Sequence, residues 1–300
     1  MTAVLEARAP LEHLPPGRVG LRRAMWAEWT KLWSVRSTIW TLVATGVAVV
    51  GLSALSTGAV SSSDIIGDPT ARSLIGIFLG QLVFGVLGVL VMSAEYGTGT
   101  IRATLSAVPR RPVVLAAKLL VFGAVAVVVS EALAFAAFGL GQVLLSAKHS
   151  LGPSAVITKH AHQLGLRVPH DIQGLLSTGS ASLGQPGVAR AVIGAGLYLA
   201  VLGLLALGLA TVIRHTAGAI SAFVGVVLVL PLIVQALPAS ISDAVARYLP
   251  ANIGRVMFST HGIPDSIGPA FSPWVGFALL VAYTVAILGL GCWVLVRRDA

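Results

Sequence analysis

The chain has 300 residues, of which 56% are hydrophobic and only 10% charged. A soluble domain carries about 25% charged residues, so this composition, with a mean hydropathy of +0.91, excludes an ordinary soluble globular domain and points to a polytopic membrane protein. The net charge of +9 is what Lys- and Arg-rich cytoplasmic loops produce, so membrane lipids are expected partners and nucleic acid is not. The single cysteine, Cys292, permits no internal disulfide.

Residues 1–20, with prolines at 10, 15 and 16, read as a disordered cytoplasmic tail and not as a cleavable signal peptide. The six-helix transmembrane domain is expected over 21–300. It opens with "LRRAMWAEWTKLWSVRSTIW", Leu21 to Trp40. Leu21, Met25, Trp29, Leu32 and Trp33 recur at three- and four-residue steps, and Arg22, Arg23, Thr30, Lys31 and Ser34 fall mostly opposite. This predicts an amphipathic pre-membrane helix over 21–37, lying in the interface. Trp26, Trp29, Trp33 and Trp40 suit the headgroup level. Glu28 precedes Lys31 by three positions, a usable pair. The plainer alternative is a basic, Trp-anchored start to the first span.

Six apolar runs follow: Ile39–Gly58, Ser73–Ser93, Leu119–Leu145, Ala191–Ile213, Gly218–Leu237 and Trp274–Val296. Each is close to the ~20 residues that a helix needs to cross the hydrocarbon. Strands are excluded because open sheet edges stay unsatisfied in lipid. The fold class is therefore an all-α polytopic membrane protein. The third run could begin as early as Val113, which would make it too long for one upright span. With the N-terminus inside, the inner segments hold thirteen Lys and Arg and the longer outer segments hold seven. Both termini are then cytoplasmic, in a multi-pass protein of the plasma membrane.

Three connecting segments stand out. Residues 95–112 open with "EYGTGTIR", a polar cassette that leaves the second run on the cytoplasmic side, with glycines suited to a turn. Residues 146–190 form a long outer loop with four histidines, including "KHAH". Two histidines at i, i+2 without nearby acids or cysteines predict no metal site. Residues 238–273 are mildly apolar and predict a short interfacial or re-entrant helix.

Within the spans, Glu131 is the notable polar residue. An acid at mid-membrane is costly and faces protein or water. Helical geometry puts Phe135, Phe138 and Gln142 on the same stripe. That stripe reads as the wall of a substrate path or a subunit seam, or as one protonated acid bonded to a neighbouring helix. Gln81 shares a face with Gly85, Gly88 and Met92, and Gly76 and Gly80 form a small-xxx-small pair suited to tight packing.

Enzymatic signatures are missing. There is no G-x-x-x-x-G-K-[ST] phosphate loop, no H-E-x-x-H and no strand–G-x-S-x-G–helix. No catalytic residue and no cofactor is expected in this chain, and energy would have to come from a partner.

Three stretches, "AEWTKLWSVRSTIWTL" (27–42), "EYGTGTIRATLSAVPRRPVVLAAKLL" (95–120) and "IRHTAGAISA" (213–222), resemble in order and spacing the permease subunits of type-2 ABC exporters of actinobacterial type. The resemblance spans nearly the whole chain. It departs at 146–190, which is longer and richer in histidine. It implies that 95–112 forms a coupling helix docking on a separate ATP-binding cassette subunit, which would carry ATP and Mg. Glu95, Tyr96, Gly99, Thr100 and Arg102 would belong to that element, with Pro109, Arg110 and Arg111 closing it. The pre-membrane helix, with Trp26, Glu28, Trp29, Lys31 and Trp33, would lie against the same subunit. A second permease would complete a homodimer or heterodimer, and 238–273 would be a re-entrant hairpin. A non-transporting immunity or sensory subunit on the same scaffold is the alternative. An intramembrane enzyme, with only Glu131 and the outer histidines to work with, is a third class.

Overall fold

A computed structural model of the chain describes residues 20–59, 68–108, 110–149, 180–260 and 270–297. The tail 1–19, Pro109 and the histidine-bearing stretch 150–179 lie outside the described residues. Among those described there are helices and no strands. We label them α1 (Leu21–Ser34), α2 (Arg36–Gly46), α3 (Leu52–Gly58), α4 (Pro69–Ser73), α5 (Ile77–Gly97), α6 (Thr100–Ala107), α7 (Arg111–His149), α8 (Val188–Ile213), α9 (Thr216–Val224), α10 (Leu230–Gln235), α11 (Ala239–Ala246), α12 (Pro250–Phe258) and α13 (Pro273–Arg297). Turns of π-helix, Val47–Gly51 and Gly225–Val229, join α2 to α3 and α9 to α10.

Among the described residues six helical stretches are long and apolar enough to cross a membrane: Arg36–Gly58, Ile77–Gly97, Arg111–Ala147, Val188–Ile213, Thr216–Gln235 and Pro273–Arg297. Each overlaps one of the six apolar runs. The fourth, α8, is the hub and packs on α5, α7, α12 and α13. Its sequence explains this: Ala and Gly recur along it, and Gly194, Gly196, Gly203 and Gly208 each sit against a neighbour's side chain. Small residues let membrane helices approach without a hydrophobic driving force between them. The first, fifth and sixth spans are peripheral and present Val43, Val47, Leu232, Val285 and Trp293 outward. Such surfaces suit lipid, which solvates apolar side chains.

The glycine pair of the second run works as packing. A Cβ at Gly76 would meet the Val49 carbonyl oxygen, and one at Gly80 would meet the Val49 side chain. Val49 is fully buried in the first π-turn. The Gly76 N–H also donates to Ser53 Oγ at 3.0 Å. A π-turn displaces the helix backbone locally, and here it carries Val49 onto the notch that the two glycines leave. Gln81, Gly85, Gly88 and Met92 are buried together on one face of α5, as their spacing predicts.

Several boundaries differ from the sequence reading. The third span begins at Arg111, not near Leu119, and α7 runs unbroken for 39 residues. At ~1.5 Å per residue that is about 58 Å, nearly twice the hydrocarbon thickness. Pro112 does not stop it because it occupies the first turn, where no N–H is needed. The helix consumes the start of the 146–190 segment, and Val188–Arg190 already belong to α8. The pre-membrane helix ends at Ser34, with Val35 extended (φ −89°, ψ 115°), so residues 36–37 belong to the first span. Segment 238–273 holds two short helices, α11 and α12, where one was expected. A Cβ at Gly254 of α12 would meet the Tyr198 ring. Tyr198 lies about 15 Å along α8 from Val188 at ~1.5 Å per residue, so α12 runs back alongside the spans.

Candidate functional site

The α1 end of the bundle gathers the charged residues. Glu28 is buried on α1 and Glu95 is buried in the last turn of α5. Lys118, buried in the second turn of α7, bonds to Glu28 Oε2 and donates to Glu95 Oε1 at 2.9 Å and to the Val91 carbonyl at 3.3 Å. Lys31 Nζ closes the ring, at 2.9 Å from Glu28 Oε1 and 3.0 Å from Glu95 Oε1. It also donates to Thr104 Oγ1 of α6 at 3.2 Å. Two acids and two bases thus alternate around a closed circuit that joins α1, α5, α6 and α7. The acids are reached by short rigid backbones, since all four charges sit on helices and none on a loop.

The ring matters because its members are out of water. A buried charge left without its partner is penalised far more than an exposed one. Lys31 is the one half-exposed member. Burial works against its charge, but the hydrogen bond and charge of Glu28 and the charge of Glu95 outweigh that and hold it above the usual lysine value of 10.5. A raised folded-state value means that its stabilising contribution is fully present below pH 10.5 and is lost as pH climbs through the raised value. Tryptophan fluorescence should therefore show an alkaline transition as α1 and its three tryptophans lift away. Lys31→Met should abolish that transition, and an unchanged transition in this variant would show that Lys31 does not hold α1.

α6 is set by its first residues. Gly99 adopts a left-handed conformation (φ 70°), which turns the chain between α5 and α6 at no cost to a residue without Cβ. Ile101 points inward, while Thr100, Arg102 and Ala103 are exposed. Between α1 and α6 lies a cleft of about 370 Å³, walled by Ala24, Ala27 and Ala103, with Glu28, Lys31 and Thr104 at its charged side.

The third motif joins the same end. Arg214 follows α8 in a left-handed conformation (φ 61°). Its guanidinium lies 5.6 Å from the centre of the Tyr96 ring and donates to the Val294 carbonyl at 2.9 Å. Arg111 donates to the neighbouring Leu295 carbonyl at 2.9 Å. Two arginines therefore cap the C-terminal carbonyls of α13, where a helix dipole favours cations. His215 Nδ1 accepts from the Gly218 N–H at 3.2 Å and starts α9.

Of the residues singled out from the sequence, the structure brings together Glu28, Lys31 and Glu95, with Thr100 nearby on the cleft wall. Glu95 and Tyr96 are the last turn of α5, so the polar cassette is still helix where it was expected to have left it. Glu95 pairs with lysines, and no ion pair to Arg102 occurs among the described residues. Trp26, Trp29 and Trp33 are exposed, whereas Ala24, Glu28 and Leu32 form the buried line of α1. Of the apolar face read from the sequence, Leu32 lies on that buried line, while Leu21, Trp29 and Trp33 are exposed. The ion-pair ring decides the docking side, and the tryptophans turn outward. Lys118 directly precedes the third apolar run as read from the sequence, but it lies inside α7 and pairs with Glu28 and Glu95. Its signal is that of any lone charge in a membrane-length helix, the same one that marks Glu131.

The intramembrane polar residues do not form one site. Gln142 donates to Ser73 Oγ at 2.9 Å and to the Pro69 carbonyl at 3.2 Å, and it accepts from the Ala181 N–H at 2.6 Å. It fastens the far end of α7 to α4. Gln81 Oε1 accepts from the Tyr198 hydroxyl at 2.6 Å. Glu131 turns its carboxyl against Gly196, whose missing side chain makes the space, beside the Leu197 backbone. Gly196 and Tyr198 are two residues apart and so on opposite sides of α8. Phe138 is buried, but Phe135 is exposed, because four residues carry it about 40° round toward lipid.

No protein-family model matches the chain, and no curated protein matches it.

Proposed function

We propose that the protein is the membrane-spanning permease subunit of an ATP-driven exporter in the plasma membrane, with both termini cytoplasmic. ATP is hydrolysed on a separate ATP-binding cassette subunit, and a second permease completes the transporter. The observation that carries this reading is the ion-pair ring. It makes α6, a short helix with an exposed outer face, one rigid piece with α1 and with the ends of two spans. A force applied at Thr100, Arg102 and Ala103 reaches α5 and α7 directly, through Thr104, Lys31, Glu95 and Lys118. An energy-consuming partner needs such a lever, and the sequence carries no phosphate loop of its own. The resemblance of the three motifs to type-2 exporter permeases gives the same partner.

The test is nucleotide hydrolysis by the chain co-purified with an adjacently encoded ATPase. Arg102→Ala, on the exposed side of α6, should lower coupled hydrolysis about tenfold, the loss of about 1.4 kcal/mol of contact, with an unchanged melting temperature. Glu95→Ala should lower both hydrolysis and melting temperature. Wild-type hydrolysis in both variants would remove the coupling assignment.

A further inference from the structure

A second cleft, of about 490 Å³, lies between the first turn of α7 and the last turn of α13, lined by Arg110, Arg111, Pro112, Val113 and Val296. Arg110 is exposed beside it. Arg297 follows Val296, and its guanidinium lies over the Trp293 ring at 5.2 Å from the centre. Arg111 is anchored by its bond to the Leu295 carbonyl. Among the described residues no acidic side chain lines the cleft, and the buried acids of this end, Glu28 and Glu95, are engaged by lysines. The carbonyls of α13, which would repel an anion, are already occupied by Arg111 and Arg214.

Both helices are membrane-length, so the cleft lies where each leaves the apolar zone. Trp293, half exposed one turn before Arg297, marks a headgroup-level side chain. Leu290 and Val296 on α13 and Leu120 on α7 are exposed apolar side chains. Cationic rim, aromatic belt and apolar wall match the three zones of one ligand class.

We propose that this cleft binds the headgroup of an anionic phospholipid, its phosphate held by Arg110 and Arg297 and its acyl chains lying along the α7–α13 surface. Guanidinium forks suit phosphate oxygens, and the negative surface of the lipid leaflet supplies the occupant. The inference needs the chain to span a membrane, and it gives to lipid the Arg110 that the resemblance places at the end of the coupling element.

The experiment uses the full chain in nanodiscs, exchanged between phosphatidylcholine alone and phosphatidylcholine with phosphatidylglycerol, with retained lipid read by native mass spectrometry after detergent release. The wild type should retain phosphatidylglycerol in preference to phosphatidylcholine. R110Q/R297Q should lose that preference by about 25-fold, from about 5-fold per basic side chain at the membrane surface. R22Q/R23Q, which removes equal charge from α1, should keep it. A preference unchanged in R110Q/R297Q, or lost equally in R22Q/R23Q, overturns the site. A melting temperature raised by millimolar inorganic phosphate alone, to the extent that phosphatidylglycerol raises it, would make this a free-phosphate site and overturn the lipid assignment. Loss of ATPase binding by R110Q/R297Q with lipid preference intact would assign the arginines to that partner instead.

Discussion

Replacing Lys118 with methionine is expected to be the most damaging single change at the α1 end. Methionine keeps the length and apolar character of the stem, so the cavity stays filled. What disappears is the charge that two buried carboxylates share. Glu28 and Glu95 are then left with Lys31 alone, which is half exposed and screened. Removing one partner from a buried ion pair costs roughly 3–5 kcal/mol. The melting temperature of the purified protein should fall steeply, and α1 should become accessible to protease. The triple variant Glu28→Gln, Glu95→Gln, Lys118→Met should recover most of the loss, because no buried charge is then left without a partner and the remaining charge, on Lys31, is half exposed to water. A single Lys118→Met variant as stable as the wild type would show that the ring does not hold these helices.

The second large effect is steric and lies at the centre of the bundle. A Cβ added at Gly88 of α5 would sit 2.2 Å from the Gly203 carbonyl oxygen of α8 and 3.2 Å from the Ala206 Cβ. The obstruction is backbone, which cannot rotate away as a side chain can. α5 and α8 must therefore separate along the seam that also holds Phe84 and Phe122. Gly88→Ala should cost about 1–3 kcal/mol, the range for overpacking in a core, and Gly88→Val more. Gly97→Ala is the control: it lies in the same helix with open space around it, and it should leave the melting temperature unchanged. Equal stability of all three variants would contradict the close α5–α8 approach.

The spans were legible in the sequence because the membrane imposes a length and a polarity that composition records directly. Their partners were not. Nothing in "GIFLG" says that Gly76 and Gly80 receive Val49, because the notch depends on a π-turn in another span. Arg190 read as a loop charge, yet it starts α8 and donates to the Met257 and Ser259 carbonyls at the end of α12. Glu28 and Lys31 were visible as a pair at i, i+3. Their closure through Glu95 and Lys118 was not, since those residues lie 64 and 90 positions away. The early start of α7 hid Lys118 in particular: placed before a span it is a topological charge, and placed inside a helix it is a buried base that needs an acid.

In the proposed transporter the outer face of α6 meets a separate ATP-hydrolysing chain. The most direct measurement is site-specific photo-crosslinking in native membranes, with a photoreactive amino acid at position 102 on α6 or at position 128 on the outward face of α7. Position 102 should crosslink to a chain that carries a phosphate-loop motif, and position 128, where Val128 is exposed on a membrane-length helix, should give only lipid adducts. No protein crosslink from position 102, or the same protein captured from both positions, would contradict it.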